Sequence, residues 1–454
     1  MSELPSSWAE CMIGDVTRIV AGGTPPSKEA SNFTFGNSGI PWITPADLSG
    51  YKEIYISRGT RNLSEKGFAQ SSAKKMPAGS VLFSSRAPIG YVAIAANEIS
   101  TNQGFKSFVL PDGINNHFIY YFLKYIKPVA EEMATGTTFK ELSGAAAAKI
   151  PLIVAPSNEQ KRIADKLDAV LARVDACRDR LDRIPSILKR FRQSVLAAAT
   201  SGKLTEEWRE EANAVGWQQT DVQSVAHVGT GSTPLRSNST FFAPTGTPWV
   251  TSAATSQTFV TDAGEFVTQA AITAHRLKTY PIGTLLVAMY GEGKTRGQVT
   301  ELGIPATINQ ACAAIVVNEE KVLKSYVKLA LQANYFEMRE LAEGGNQPNL
   351  NLSKIKEFPL SLPGITEQTE IVRRVESLFA YADRLEARYI AARAQVEKLT
   401  PATLAKAFRG ELVPQDPNDE PASKLLERIK AQRGDQAGNK PPRSRKFRVK
   451  ESVS

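Results

Sequence analysis

Cysteine and histidine are both scarce in this chain, which has three of each among its 454 residues. Cys11, Cys177 and Cys312 lie far apart in the sequence, and no histidine stands at a metal-ligand spacing from any of them. Disulfide-rich domains need many cysteines, and zinc modules need ligands in short, regular pairs. The sequence therefore predicts neither a disulfide framework nor a metal site.

Long apolar segments are absent as well. No run reaches the roughly 18 apolar residues of a membrane-spanning helix. The first residues, MSELPSSWAE, lack the basic and apolar regions of a signal peptide. We therefore expect a cytoplasmic protein with no membrane partner. Lys plus Arg outnumber Asp plus Glu by 55 to 46, and the net charge of +9 is compatible with a polyanionic partner.

What the sequence does contain is a long internal repeat. Trp8 and the segment GGTP at 22–25 correspond to Trp217 and the segment GSTP at 231–234. Further matches follow in the same order: IPWIT at 40–44 with TPWVT at 247–251, TNQ at 101–103 with INQ at 308–310, and LAAATSGKL at 196–204 with LAKAFRGEL at 404–412. The separations predict a duplicated unit of about 208 residues.

Each copy has two parts. The first part alternates short apolar runs with Gly, Pro, Asn and Ser clusters and contains one helical stretch, near 115–134 and again near 320–343. This pattern predicts a mixed α/β domain over residues 1–156 and a second one, with a leading linker, over residues 204–363. The second part of each copy, residues 157–203 and 364–412, is predicted to be a long helix.

Both predicted helices carry an apolar stripe with alternating steps of three and four residues. Such a heptad pattern favours packing against a partner helix of the same kind. The first stripe spans residues 163–198, about 54 Å at 1.5 Å per residue, and Pro185 should kink it. The predicted seam consists of Ile163, Leu167, Val170, Val174, Leu181, Ile184, Leu188 and Phe191 in the first helix, and Ile371, Val375, Leu378, Leu385, Tyr389, Val396 and Leu399 in the second.

Two arrangements of these helices are open. Each helix could pack on its own domain, as single amphipathic helices commonly do. The equal length and spacing of the two stripes favour an antiparallel pair between the copies. The predicted fold is α+β, with two similar mixed α/β domains separated by two long antiparallel coiled-coil helices and related by a pseudo-twofold internal duplication. Helices of this length could separate two groove-reading domains by roughly one 34 Å turn of DNA or slightly more, which predicts a bipartite target.

Several of these segments resemble the specificity subunits of Type I restriction-modification systems. The resemblance rests on the GGTP turn, the IPW(I/V)T segment and the helix-end segments FRQSVLAAATSGKLTEEW and LAKAFRGELVPQDPNDEPASKLLERIK. It covers residues 1–430 in the order recognition domain, central helix, recognition domain, C-terminal helix. It implies a DNA-binding specificity subunit in which each target-recognition domain reads one half of a bipartite asymmetric site.

The resemblance also implies the partners of this chain. They are double-stranded DNA, two adenine-N6 methyltransferase subunits and restriction/translocase subunits. S-adenosylmethionine, ATP and Mg²⁺ are expected on those subunits, with no catalytic, cofactor or metal site here. The sequence agrees, because it has no (N/D)PP(F/Y) tetrapeptide of amino-methyltransferases and no GxGxxG segment after a strand. A loose phosphate-loop match at 288–295 is followed by strand-like text rather than by a helix.

Base-reading candidates are side chains with forked donors or acceptors in the strand-and-loop parts. Arginine suits guanine, and asparagine or glutamine suits adenine, although the same side chains commonly close surface turns. The Asn-Gln pairs recur in both copies, so a structural role in a turn is the alternative for them. The candidates are Arg86, Asn102, Gln103 and Lys106 in the first copy and Lys294, Arg296, Asn309, Gln310, Asn346 and Gln347 in the second.

Residues 413–454 differ in composition from the rest of the chain. They are predicted to form a basic, disordered tail with one short helix near 421–430. Two rival functions remain open at this stage. One is a coiled-coil interaction scaffold without sequence-specific DNA binding, and the other is a fused enzyme with its own methyltransferase. The missing tetrapeptide and the length already occupied by the repeats argue against the second.

Overall fold

The computed structural model describes residues 4–86, 88–136, 140–291, 295–342 and 349–438. They form two compact units. Unit 1 contains the chain up to Arg180 and again from Ala392 onward, and unit 2 contains Leu181–Ala391. Among the described residues, no helix combines the length and the apolar character needed to cross a bilayer.

Unit 1 is built on a five-stranded sheet. The strands of the whole unit, including those outside this sheet, are β1 (Ala9–Met12), β2 (Arg18–Ala21), β3 (Phe33–Thr34), β4 (Trp42–Ile43), β5 (Tyr55–Ile56), β6 (Asn62–Leu63), β7 (Val81–Ser85), β8 (Ile89–Ala95), β9 (Ser100–Thr101), β10 (Lys106–Val109) and β11 (Pro151–Val154). Its helices are α1 (Ile13–Val16), α2 (Glu65–Ala69), α3 (Asn116–Tyr125), α4 (Lys127–Glu132), α5 (Gly144–Ala148) and α6 (Ser157–Leu181). The sheet order is β2-β10-β7-β8-β5, and only the β5–β8 pair is parallel within this sheet.

Unit 2 repeats this architecture. Its strands are β12 (Gln218–Asp221), β13 (Ala226–Thr230), β14 (Phe242–Ala243), β15 (Thr247–Val250), β16 (Phe259–Val260), β17 (Phe266–Val267), β18 (Leu285–Ala288), β19 (Val299–Leu302), β20 (Thr307–Ile308), β21 (Cys312–Val317) and β22 (Pro359–Leu362). Its helices are α7 (Ile184–Thr200), α8 (Glu206–Glu211), α9 (Val222–Val225), α10 (Gln269–His275), α11 (Lys324–Ala333), α12 (Tyr335–Glu340) and α13 (Leu352–Lys356). The sheet order β13-β21-β18-β19-β16 matches that of unit 1 strand for strand.

Two more helices complete the chain, α14 (Ile365–Phe408) and α15 (Ala422–Gly438). The central helix is interrupted rather than only kinked, because α6 ends at Leu181 and α7 begins at Ile184. Proline has no amide hydrogen and its ring collides with the carbonyl four residues earlier, but it fits the first turn of a helix. Pro185 accordingly lies in the first turn of α7.

In unit 2, α7 packs antiparallel to the first part of α14. Arg192 of α7 donates to Asp383 at 2.6 Å and to Glu386 at 2.8 Å. Beyond the end of α7, the Leu204 carbonyl accepts a hydrogen bond of 2.8 Å from Arg374, which precedes Asp383 in α14. Later positions on one helix therefore meet earlier positions on the other, and the predicted antiparallel pairing is confirmed within this unit.

The predicted seam is buried to different depths along its length. Leu399 is 44% exposed, so the seam prediction is wrong at this position. The buried positions that follow Val396 in α14 are Leu404, Ala407 and Phe408. An α-helix has 3.6 residues per turn and drifts from a strict 3.5-residue stripe, which here carries Leu399 off the buried face. Other seam residues are buried (Ile163, Leu167, Val174, Leu188, Ile371, Val375, Val396) or half-buried (Val170, Leu181, Ile184, Phe191, Leu378, Leu385, Tyr389).

An acidic side chain near the start of α14 gives this helix pair a pH dependence. Glu370 accepts hydrogen bonds from Arg373 and Arg374, which lower its pKa from 4.5 to about 2. A carboxyl whose pKa is depressed by folding stabilises the folded state above its unfolded pKa, and that contribution disappears as the pH falls toward the folded pKa. We expect Glu370→Gln to be less stable than the parent protein at pH 7, with the difference vanishing between pH 4.5 and 2. Thermal melts of both proteins across this pH range measure the difference, and a difference independent of pH would contradict the assignment.

Each mixed α/β domain is attached to the start of a long helix by a buried Glu-Gln pair. The side chain of Gln160 accepts from the backbone amide of Asn115 at 2.9 Å and donates to the backbone carbonyl of Ala155 at 2.8 Å. Its counterpart Gln368 accepts from the Leu323 amide at 2.8 Å and donates to the Pro363 carbonyl at 2.8 Å. Both glutamines are fully buried and link the start of each long helix to the domain that precedes it.

The two glutamates of these pairs hold the repeated tryptophans. The Trp8 indole donates to Glu159 at 3.0 Å, and the Trp217 indole donates to Glu367 at 3.1 Å. Glu159 also accepts from Gln415 at 2.6 Å, which lies in the segment after α14. The repeat of Trp8 at position 217 therefore marks a structural junction rather than a surface feature.

The segment after α14 is packed against unit 1, contrary to the prediction of a disordered tail from residue 413. Ala422, Leu425, Leu426 and Ile429 are buried in the main core of unit 1. Asp419 accepts from Arg162 of α6 at 2.7 Å. The predicted short helix is also longer than expected, since α15 extends to Gly438. Residues 439–454, which contain most of the basic residues of this segment, lie outside the described residues.

Candidate nucleic-acid interface

A pair of turns lies at the same end of the main sheet in each unit. In unit 1 the GGTP turn crosses the TNQ turn so closely that a Cβ on Gly22 would lie 1.9 Å from the Asn102 carbonyl oxygen. The Gly23 amide donates to the Thr101 carbonyl at 2.9 Å, and the Trp42 indole donates to the Gly23 carbonyl at 2.9 Å. Only glycine permits this approach of two backbones.

Asn102 and Gln103 have different roles in this pair of turns. The Asn102 side chain accepts from the Gly104 amide at 2.9 Å and so closes its own turn. Gln103 is exposed, and its side-chain carbonyl accepts from the Thr24 hydroxyl of the GGTP turn. The amide group of Gln103 is therefore held at the surface by a neighbouring turn.

Unit 2 has the same arrangement. A Cβ on Gly231 would lie 1.7 Å from the Ile308 carbonyl oxygen. Asn309 accepts from the Ala311 amide at 3.2 Å, and the exposed Gln310 accepts from the Thr233 hydroxyl. Because these features are equal in both units, they cannot distinguish two different half-sites. They suit a contact common to both units, such as the sugar-phosphate backbone.

The remaining candidates of unit 1 form a charged cluster beside these turns. Arg86 donates to Glu141 at 3.1 Å, and Lys106 contacts the other carboxylate oxygen of Glu141 at 3.4 Å. The Lys106 side chain is only 10% exposed, whereas that of Arg86 is 37% exposed. Lys106 is thus an internal partner of Glu141, whereas the side chains of Arg86 and Glu141 reach solvent to a similar degree, 37% and 39%. Glu141 could not be identified from the sequence, because no motif or repeat marks it.

Fewer of the unit 2 candidates can be described. Lys294, Asn346 and Gln347 lie outside the described residues. Arg296 is half-buried, and its carbonyl accepts from Arg339 of α12 at 2.8 Å. The residues after Thr295 lead into β19, so the loose phosphate-loop match lacks the helix that such a loop requires.

Exposed arginines stacked on aromatic rings add positive charge to the small sheets of both units. In unit 1 the Arg61 guanidinium lies 4.7 Å from the centre of the Phe33 ring. In unit 2 Arg236 lies 5.0 Å from the centre of the Phe242 ring and is paired with Glu265. The two arginines come from different positions of the repeat. Stacking on a ring fixes the guanidinium of Arg61, whereas both terminal nitrogens of Arg236 also donate to Glu265, which compensates its charge.

Metal-ligating side chains and one cavity were the remaining features to place within the described residues. These residues contain no group of three or more His, Cys, Asp or Glu side chains placed to hold a metal ion. Unit 2 has a cavity of about 950 Å³ beside α7, whose polar lining is mainly amides and cations, including Gln193, Gln257, Gln298, Gln332, Lys189 and Arg339. The lining also includes the hydroxyl residues Thr255, Ser256, Thr258 and Tyr335 and has no carboxylate or thiol, so it offers mainly hydrogen-bonding groups.

Comparisons with known proteins agree with this arrangement of two similar domains. The model of a family described as "Type I restriction modification DNA specificity domain" matches residues 5–186 and again residues 214–392. The chain is 28% identical to the Type I restriction enzyme StySPI specificity subunit of Salmonella potsdam, over 98% of this chain and 99% of that protein. It is 40% identical over 170 residues to the MjaIX specificity subunit of Methanocaldococcus jannaschii, covering 37% of this chain and 38% of that protein.

Solved structures share the fold at low sequence identity. A chain from a structure of a type I R-M system covers 90% of this chain and 99% of its own length, with a TM-score of 0.68 and 17% identity. The HsdS subunit from Thermoanaerobacter tengcongensis covers 90% of this chain and 98% of its own length, with a TM-score of 0.62 and 18% identity. The two family matches together span most of the sequence, one in each repeat. This chain therefore belongs to the Type I restriction-modification DNA specificity family.

Proposed function

We propose that this chain is the DNA-reading subunit of a Type I restriction-modification complex and reads a bipartite asymmetric site, one half per recognition domain. The observation that carries this proposal is that two units with the same backbone fold have different side chains at equivalent positions. The sheet order is the same in both units, and the glycine-rich turn recurs in both. At the sheet end beside that turn, however, unit 1 has Arg86 and unit 2 has Tyr290. Two domains with the same fold and different side chains at this position are suited to bind two half-sites of different base sequence.

The proposed partners are double-stranded DNA, two methyltransferase subunits and restriction/translocase subunits. Support for protein partners comes from large apolar side chains that the long helices leave exposed in unit 2, namely Ile187, Tyr381 and Ile390. Exposed apolar side chains are sites that a protein partner could cover, although Tyr381 and Ile390 are nine residues apart and so lie on opposite faces of α14. Relatives of this chain carry the name of specificity subunits of Type I enzymes.

We further propose that the chain has no catalytic activity of its own and acts in the cytoplasm. In this proposal the chain holds no cofactor, and S-adenosylmethionine, ATP and Mg²⁺ are bound by the partner subunits. An assay of the purified chain with S-adenosylmethionine and duplex DNA should give no methyl transfer.

Mapping of N6-methyladenine tests the proposal. When the chain is produced together with its methyltransferase subunit in a host that lacks both, modification-sensitive sequencing should show methylation at one split motif with a fixed unspecified gap. Hosts that produce either subunit alone should lack this motif, because one chain supplies the reading and the other the chemistry.

The interaction-scaffold alternative predicts a different result. A stable complex that binds DNA but leaves the methylation pattern of the host unchanged would contradict sequence reading and favour that alternative. Methylation by the isolated chain would instead favour a fused enzyme. The measurement therefore separates all three functions.

A further inference from the structure

The end of β7 and the start of β10 hold a cluster of three charged side chains in unit 1. Arg86 directly follows β7, Lys106 begins β10, and Glu141 is brought beside them by backbone pairing with Arg86. The adjacent Leu142 amide donates to the Ser85 carbonyl at 2.9 Å, which continues this pairing. The cluster is therefore fixed by backbone hydrogen bonds and does not depend on flexible side chains alone.

The cluster orients one arginine toward solvent. Glu141 shares its two carboxylate oxygens, one with Arg86 at 3.1 Å and the other with Lys106 at 3.4 Å. The nearly buried Lys106 also donates to Ser85 at 3.3 Å, so it cannot turn outward without leaving both contacts. Two cations share one anion, which leaves a net positive charge. Because Lys106 is nearly buried, Arg86 is the cation of the cluster that DNA can reach, with a side chain 37% exposed beside that of Glu141 at 39%.

The equivalent positions of unit 2 have lost this cluster. The backbones of the two units can be aligned by equivalent hydrogen bonds. In unit 1 the Ser85 amide donates to the Gly104 carbonyl at 2.7 Å, and in unit 2 the Met289 amide donates to the Ala311 carbonyl at 2.8 Å. Likewise the Leu142–Ser85 bond in unit 1 corresponds to a Leu350–Met289 bond of 3.0 Å in unit 2. Under this alignment Arg86, Lys106 and Glu141 correspond to Tyr290, Ala313 and Asn349.

We propose that Arg86 binds the major-groove edge of a guanine in the half-site read by unit 1, and that Glu141 and Lys106 are its positioning residues. The proposal rests on the proposed function and names the chemistry of one contact within it. A guanidinium matches guanine because it can donate to O6 and N7 together. Arg86 lies at the same end of the sheet as the TNQ turn, because the Ser85 amide that precedes it donates to the Gly104 carbonyl at 2.7 Å.

The carboxylate of Glu141 increases the specificity of this contact in two ways. It fixes the plane of the guanidinium before DNA binds, which lowers the entropy lost on contact. It also accepts one side of the guanidinium fork, so the donors on the other side are directed outward. Lys106 compensates the charge of Glu141, so the carboxylate does not repel the DNA backbone. Unit 2 has a phenol at this position, and no guanine contact of this kind is expected there.

The test compares the methylation motifs and DNA binding of complexes that contain the parent chain or a variant. For Arg86→Ala we expect one G·C pair in one half of the motif to become unspecified, with the other half unchanged. Binding to duplexes that differ at single positions should show that discrimination at this pair falls by roughly 5- to 150-fold, the equivalent of one bidentate contact. Retained discrimination at every position in Arg86→Ala would overturn the proposal.

Two further variants separate positioning from general stability. Glu141→Gln and Lys106→Met should weaken discrimination at the same G·C pair, by less than Arg86→Ala does. Lys66→Ala is the matched control, because it removes one exposed cation of unit 1 that is paired with Glu29 at 3.3 Å. The control should keep every base preference. A parent chain that directs no motif would contradict the proposed function itself, whereas a parent motif that Arg86→Ala leaves intact contradicts only the guanine contact.

Discussion

Replacing Glu367 by alanine should lower the unfolding free energy of unit 2 by about 2–4 kcal/mol, because it removes the acceptor shared by a half-buried arginine and two further donors. The carboxylate of Glu367 is 1% exposed. One of its oxygens accepts from Thr205 at 2.7 Å, from Arg209 at 3.0 Å and from Trp217 at 3.1 Å. An alanine would leave all three donors without this partner, and unsatisfied buried donors are costly.

The equivalent change in unit 1 should have a smaller effect. Glu159 accepts from the neutral donors of Trp8 and Gln415, and burial raises its pKa despite these bonds. The charged form of Glu159 is therefore held less favourably than that of a carboxylate paired with arginine. We expect Glu159→Ala to cost about 1–3 kcal/mol, in the range for a buried hydrogen-bonded group.

Hydrogen exchange followed by mass spectrometry can read the two units separately, because each unit can open independently. Glu367→Ala should accelerate exchange in β12, β22 and the start of α14 while unit 1 keeps its protection. Glu376→Ala is the matched control, since it removes an exposed glutamate from the same helix. Equal exchange in the two variants would show that the buried junction contributes little.

Removing residues 413–454 should destabilise unit 1 by roughly 5 kcal/mol or more, since burial of one Leu or Ile side chain contributes about 1.5–3 kcal/mol. The truncation deletes Leu425, Leu426 and Ile429 from the main core of unit 1. It also removes Gln415 from Glu159 and Asp419 from Arg162. Each deleted polar group leaves a partner without its hydrogen bond.

A shorter truncation after residue 438 serves as the control, because it leaves every described contact in place. Denaturant unfolding monitored by tryptophan fluorescence should show an early transition for the long truncation and a parent-like curve for the short one. Trp8 lies in the affected unit and reports this change directly. If both truncations behave like the parent, the segment after α14 is dispensable for the stability of unit 1.

The site was only partly predictable from the sequence. Arg86 and Gln103 were identifiable because their side-chain types suit base edges, and the structure places them at one end of the sheet. Lys106 satisfied the same criterion, yet it lies inside the protein against Glu141. Glu141 carried no signal at all, because its role depends on the backbone pairing that brings it beside Arg86. Residue type alone does not say which side of a strand faces solvent.

The fold was predictable where its cause is periodic and local. The repeat of about 208 residues and the heptad stripes follow from residue spacing, so the duplicated architecture and the long helices could be predicted from the amino-acid sequence alone. Pro185 likewise signalled a disturbance of the central helix, because its missing amide acts within one turn.

Only the tertiary structure decided which distant groups meet. It placed Glu159 and Glu367 under the repeated tryptophans, packed α15 into the core of unit 1, and left Leu399 exposed. These outcomes depend on residues that are far apart in sequence, or on small rotations that accumulate along a helix. A pattern of spacing records the face of each element, but the partner of a buried polar group is set by the packing of whole elements against each other.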